Sequence, residues 1–79
     1  MNNARRKEIR NVVGQLERVV SEIEQKVQCI LDEEQEAFEN MPESLHESER
    51  GLASQEAQGN MEAAIDSLEE AISYLEDIV

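Results

Sequence analysis

The stretch AQGNMEAAIDSLEEAISYLEDI, residues 57–78, decides the fold. Ala57, Met61, Ala64, Leu68, Ala71, Leu75 and Ile78 follow one another at alternating steps of four and three. That spacing gathers side chains on one face of an α-helix. Ile65, Ile72 and Val79 add a second apolar column one position further on, so the face is wider than one partner helix can cover. The alanines recur every seven residues between the larger Met61, Leu68 and Leu75. Alternating small and large layers let neighbouring helices approach closely while knobs still fill holes.

The same period runs upstream. Apolar residues fall at Ile9, Val12/Val13, Leu16, Val19/Val20, Ile23, Val27, Ile30/Leu31, Ala37/Phe38 and Met41, with Glu34 the one acid in the stripe. This predicts a first helix over about 4–40. Pro42 disfavours helical geometry in Met41 and lacks a backbone donor, so it breaks the pattern, yet it can open a new turn. The hinge is therefore placed at 41–48, with a short helical turn over Pro42–Glu47 anchored by Leu45. Ser48 is a good N-cap, but Gly51 stands where a capping box would have Glu, so the second helix begins at 49 or at 53 and runs to about 78.

So short a connection makes the helices antiparallel. The reading is one all-α domain over 1–79, an antiparallel helical hairpin with a short helical turn between two long amphipathic helices. Its wide faces predict assembly into a four-helix bundle, a homodimer or higher, since a chain this small rarely closes a sufficient core alone. The expected oligomer core is Leu16, Ile23, Val27, Ile30, Phe38, Met61, Ala64, Leu68, Ala71 and Leu75. The basic start of the first helix should run beside the acidic end of the second, giving Arg6, Lys7 and Arg10 the neighbours Glu69, Glu70, Glu76 and Asp77.

Charge narrows the function. The chain carries a formal charge of −12, unevenly placed: residues 1–31 sum to +2, and residues 32–79 hold fifteen acids against Arg50 alone. Such a field repels nucleic acid and anionic membranes and favours partners with basic surfaces. The basic head, Ala4-Arg5-Arg6-Lys7-Glu8-Ile9-Arg10, could hold a few phosphates, but the rest of the chain would repel a duplex. No apolar run is long enough to span a membrane. An unpaired Cys29 fits a reducing, cytoplasmic setting.

No arrangement points to catalysis or to a cofactor. Glu43-x-x-His46 has the spacing of di-iron bundles, yet the inward positions of the second helix are apolar, so a solvent-facing His46 is expected. Cys29 has only Lys26 as a basic neighbour at helix spacing, too little to activate a thiol. Asp32, Glu33, Glu34 and Glu36 lack the glycine turn and alternating ligands of a calcium loop. The chain reads as a non-enzyme that binds another macromolecule.

The segment EEQEAFENMPESLHESERG, residues 33–51, resembles the hinge of a family of short, acidic, helical proteins from phages and prophages of Gram-positive bacteria. The resemblance extends to the basic Ala4–Ile9 opening and the Glu/Ala/Leu/Ile-rich Glu62–Ile78, and so covers nearly the whole chain. Leu52–Gln55 and Gln58-Gly59 depart from the more acidic pattern there. The family brings no established activity. It implies a phage setting, with action in the host cytoplasm, where a small acidic protein would bind and inhibit or modulate a host protein such as a nucleic-acid-handling or defence factor. Candidate partner-binding residues are Glu43, Glu47 and Arg50 in the hinge and Glu62, Asp66, Glu69 and Glu70 along the second helix. The other readings are a structural or assembly scaffold acting through its oligomeric bundle, and an antidote of the toxin–antitoxin kind.

Overall fold

A computed structural model describes residues 1–79. Helix α1 spans Asn3–Glu39, a 3-10 turn spans Glu43–Leu45, and helix α2 spans Glu49–Glu76. The two long helices pack against each other as an antiparallel hairpin measuring 59 × 18 × 12 Å. Both N-termini are capped by side chains. Asn2 accepts from the Arg5 amide at 2.8 Å and Ser48 from the Gly51 amide at 3.3 Å, each satisfying a donor that the first turn leaves without an intrahelical partner. With Ser48 as cap, α2 starts at Glu49 and runs unbroken through Gly51 and Gly59.

The seam between the helices resolves the doubled apolar positions of α1. In each of Val12/Val13, Val19/Val20 and Ile30/Leu31 the second member turns toward α2 and the first turns away. Val13, Val20 and Leu31 are the buried apolar residues, whereas Val12, Val19 and Ile30 are exposed. Leu16, Val27, Phe38 and Met41 are half-buried along the same line, as is Glu34. The half-buried residues of α2 are Gln58, Met61, Ile65, Leu68, Ile72 and Leu75. The column facing α1 is thus Ile65/Ile72 with Met61/Leu68/Leu75, rotated one position from the alanine column. Ala57, Ala64 and Ala71 are exposed. Of the ten residues expected in an oligomer core, Leu16, Val27, Phe38, Met61, Leu68 and Leu75 pack within the hairpin, while Ile23, Ile30, Ala64 and Ala71 lie outside it.

The hinge departs from expectation in two side chains. Leu45 does not enter the core; it is 48% exposed. His46 does not face solvent. Its ring stacks on Phe38, centroids 4.3 Å apart, and its Nε2 lies 3.0 Å from the Met41 carbonyl, a contact that needs the proton on that nitrogen. His46 therefore closes the hinge end of the hairpin. Gln55 donates to the His46 carbonyl at 3.2 Å, and the Ser48 hydroxyl donates to the Leu45 carbonyl. These bonds satisfy carbonyls that leave the regular ladder at the turn.

Candidate functional site

Two pairs of carboxylates meet across the seam. Glu24 on α1 lies against Glu69 on α2, and Glu17 lies against Glu76. Both pairs share one register, so each step of seven along α1 is matched by a step of seven back along α2. The local sequence explains the placement. In an antiparallel pair, positions flanking the seam on one side of each helix face each other, and here both helices put Glu there at heptad spacing: Glu17 and Glu24 on α1, Glu62, Glu69 and Glu76 on α2. None of the four paired glutamates has Lys or Arg three or four positions away on its own helix. No helical neighbour offsets their repulsion.

The consequences appear in their acidity. Glu24 is raised above the ordinary carboxylate range, first by desolvation in the seam, then by the charge of Glu69 and by the hydrogen bond the two can form once one of them is protonated. One of its oxygens, Oε1, is shielded from solvent and has no hydrogen-bond partner. Glu76 is raised chiefly by the hydrogen bond it can donate to Glu17 once protonated, then by desolvation and by the charges of Glu17 and Asp77. A carboxyl whose folded pKa lies above its unfolded value takes up its proton first in the folded state, so stability increases as pH falls through the folded pKa toward the ordinary carboxylate range. The thermal midpoint should accordingly be higher at pH 5 than at pH 7.5. Glu24→Gln and Glu76→Gln should each raise the midpoint at pH 7.5 and flatten this dependence; thermal melts showing a lower midpoint at pH 5 would contradict the assignment.

Along α2 the predicted residues Glu62, Asp66 and Glu69 lie on this carboxylate side, and Glu70, bonded by the Tyr74 hydroxyl at 3.0 Å, sits further round the outer surface; all are exposed. Glu43, Glu47 and Arg50 are exposed at the hinge, some distance along the rod from the glutamate pairs. Arg50 there borders a shallow hollow of about 300 Å³ lined by Ala37, Met41, Pro42 and Leu45. Sequence reading missed Glu17 and Glu24, and set Glu76 beside the basic head where it instead meets Glu17. Their signal is the shared seven-residue spacing beside each apolar stripe.

The expected neighbours of the basic head are not found. Since Glu76 meets Glu17, the three residues after it reach only about one turn further, ~4.5 Å. The start of α1 extends past the end of α2. Arg6 bonds the Asn3 side chain at 3.5 Å, and Arg18 donates to the Gly14 carbonyl at 3.3 Å. Cys29 is exposed, no group of three or more potential ligands is placed to hold a metal ion, and neither helix is long and apolar enough to cross a membrane.

No family model, curated protein or solved structure matches the chain. What the fold and the site define is a class: an acidic helical hairpin with one carboxylate-lined side.

Proposed function

We propose that this protein is an interaction module that binds, and thereby inhibits or modulates, a protein with a basic surface. The observation that supports it most is the line of carboxylates held in mutual contact, Glu24 with Glu69 and Glu17 with Glu76, with no cation of their own helices to offset them. Like charges held together by a packed scaffold attract a basic surface strongly, and a bound cationic side chain would remove the repulsion that the fold tolerates. The hinge resemblance to phage and prophage proteins makes a host nucleic-acid-handling or defence protein the target class, with the carboxylates on a rigid rod standing in for phosphates.

The test is capture from a Gram-positive host lysate, followed by binding of the isolated partner over a salt series. Affinity should fall steeply between about 50 and 300 mM salt, since exposed charges are screened over about 10 Å at 0.1 M. Replacing Glu62, Asp66, Glu69 and Glu70 by Lys should weaken binding at least about tenfold while helicity is retained, because solvent-facing changes rarely cost more than about 0.5 kcal/mol of stability. Equal losses from changes at Glu43, Glu47 and Arg50 would move the interface to the hinge. A partner held unchanged at high salt, with all these substitutions silent, would overturn the acidic-surface reading in favour of a scaffold acting through apolar contacts.

A further inference from the structure

The hairpin has two unlike sides. Counting around each helix from its seam, the paired glutamates lie on one side. Ile23 and Ile30 of α1 and Ala64 and Ala71 of α2 lie on the other. The register that pairs Glu24 with Glu69 sets Ile23 opposite Ala71 and Ile30 opposite Ala64. Val12 and Val19 continue the strip along α1 toward its start. All six side chains are exposed, with Val19 at 52% and Ile30 at 55%.

The hairpin is a single layer only 12 Å thick, whereas stable domains bury apolar stripes between two layers. No large side chain is fully buried. The accessible surface is 6050 Å², and a compact monomer of 9.0 kDa would show about 4,900 Å². The excess is roughly 1,200 Å². If each of two copies hides that excess, the pair buries about 2,400 Å², within the range of obligate homodimers.

Charge then selects the arrangement. The open end of the hairpin, residues 1–19 with 66–79, has a formal charge of −2; the hinge end, residues 20–65, has −10. Two copies side by side in the same direction would bring both −10 ends together. Two copies head to tail separate those ends by most of the 59 Å rod. They also lay each overhanging basic head, with Arg5, Arg6, Lys7 and Arg10, toward the other copy's hinge acids.

We propose that the Ile23/Ile30/Ala64/Ala71 side is covered by a second copy of this chain, head to tail about a two-fold axis, forming a four-helix bundle that displays a carboxylate side on each outer surface. The alanines are the positions of close approach between copies, which accounts for small residues at seven-residue spacing on a face that α1 does not touch. The inference is independent of what the carboxylate sides bind.

Sedimentation equilibrium of the full chain over about 1–200 μM should give twice the 9.0 kDa chain mass at the upper end. The double variant Ala64→Lys/Ala71→Lys should dissociate at least about a hundredfold more readily. In a lone hairpin both positions are exposed, and Lys there would be nearly neutral. The control Ala63→Lys/Ser73→Lys adds the same charge away from this face and should keep the native mass. If the alanine variant also loses helicity, the native thermal midpoint must rise with concentration, because folding and association are then one step. A monomer at 200 μM, an unchanged mass for Ala64→Lys/Ala71→Lys, or a concentration-independent midpoint beside an unfolded variant would each overturn the proposal. Orientation is read from spin labels on Ser44→Cys in a Cys29→Ser background. Head-to-tail packing places the two labels more than about 40 Å apart, whereas a separation near two helix diameters, ~20 Å, would overturn it.

Discussion

Leu31→Ala is expected to destabilise the protein by about 2–5 kcal/mol, the usual cost of emptying a packed leucine site, and its neighbour Ile30→Ala to behave differently in kind. Leu31 is 3% exposed between the helices, and Ile30 is 55% exposed one residue away. The seam has few buried residues to share the loss. A domain of this size has a total stability of only about 4–12 kcal/mol, so Leu31→Ala should remove a large fraction of it at every protein concentration. Ile30→Ala removes nothing that α2 covers. In a lone hairpin its cost should stay below about 1 kcal/mol, and any larger loss should appear only where a second copy is bound. Urea unfolding of both variants at about 2 and 200 μM separates the two cases. Equal, concentration-independent costs at the two positions would mean that the seam runs through a different apolar column.

That contrast marks how far the sequence alone reaches. The hairpin is legible because the helical period is sustained on both sides of Pro42, and nothing else in 79 residues competes with it. Doubled apolar positions announce two packing directions for α1. They do not say which member of each pair goes which way, because 3.6 residues per turn lets the stripe drift around a straight helix. Glu24 shows the effect: it occupies the seam side where a strict heptad would place Ile23. On α2 the alanine column has the more regular spacing, yet the bulkier Ile65/Ile72 column is the one turned inward, since larger side chains hide more apolar surface against α1. The carboxylate pairs depend on the register between helices, a long-range property set by the hinge. The hinge itself rests on contacts between residues eight or nine positions apart, such as Phe38 with His46 and Gln55 with the His46 carbonyl. Local propensity carries no information about these.

Gly51 shows what a turn residue can hide inside a helix, and its replacement by Ala should act opposite to the same change at the other two glycines. Gly51 is buried in the first turn of α2, where the hinge backbone crosses it. A Cβ there would collide with the His46 carbonyl oxygen and would lie 2.6 Å from both the His46 carbonyl carbon and the Leu45 oxygen. Those atoms are backbone, fixed by the Ser48 and Gln55 hydrogen bonds, and cannot yield as a flexible side chain would. Ala is the better helix former by about 1 kcal/mol, but displacing this crossing should cost more, leaving Gly51→Ala destabilised by about 1–3 kcal/mol. A Cβ at Gly14 or Gly59 meets nothing within 4 Å. Both lie away from the alanine face, so Gly14→Ala and Gly59→Ala should each stabilise by up to about 1 kcal/mol. Thermal melts of the three variants give the signs directly. The loss at Gly51 should be accompanied by faster hydrogen exchange at Leu45–Ser48 and an intact exchange pattern in the middle of both helices. A stabilised Gly51→Ala protein would mean that the hinge does not cross α2 at that turn.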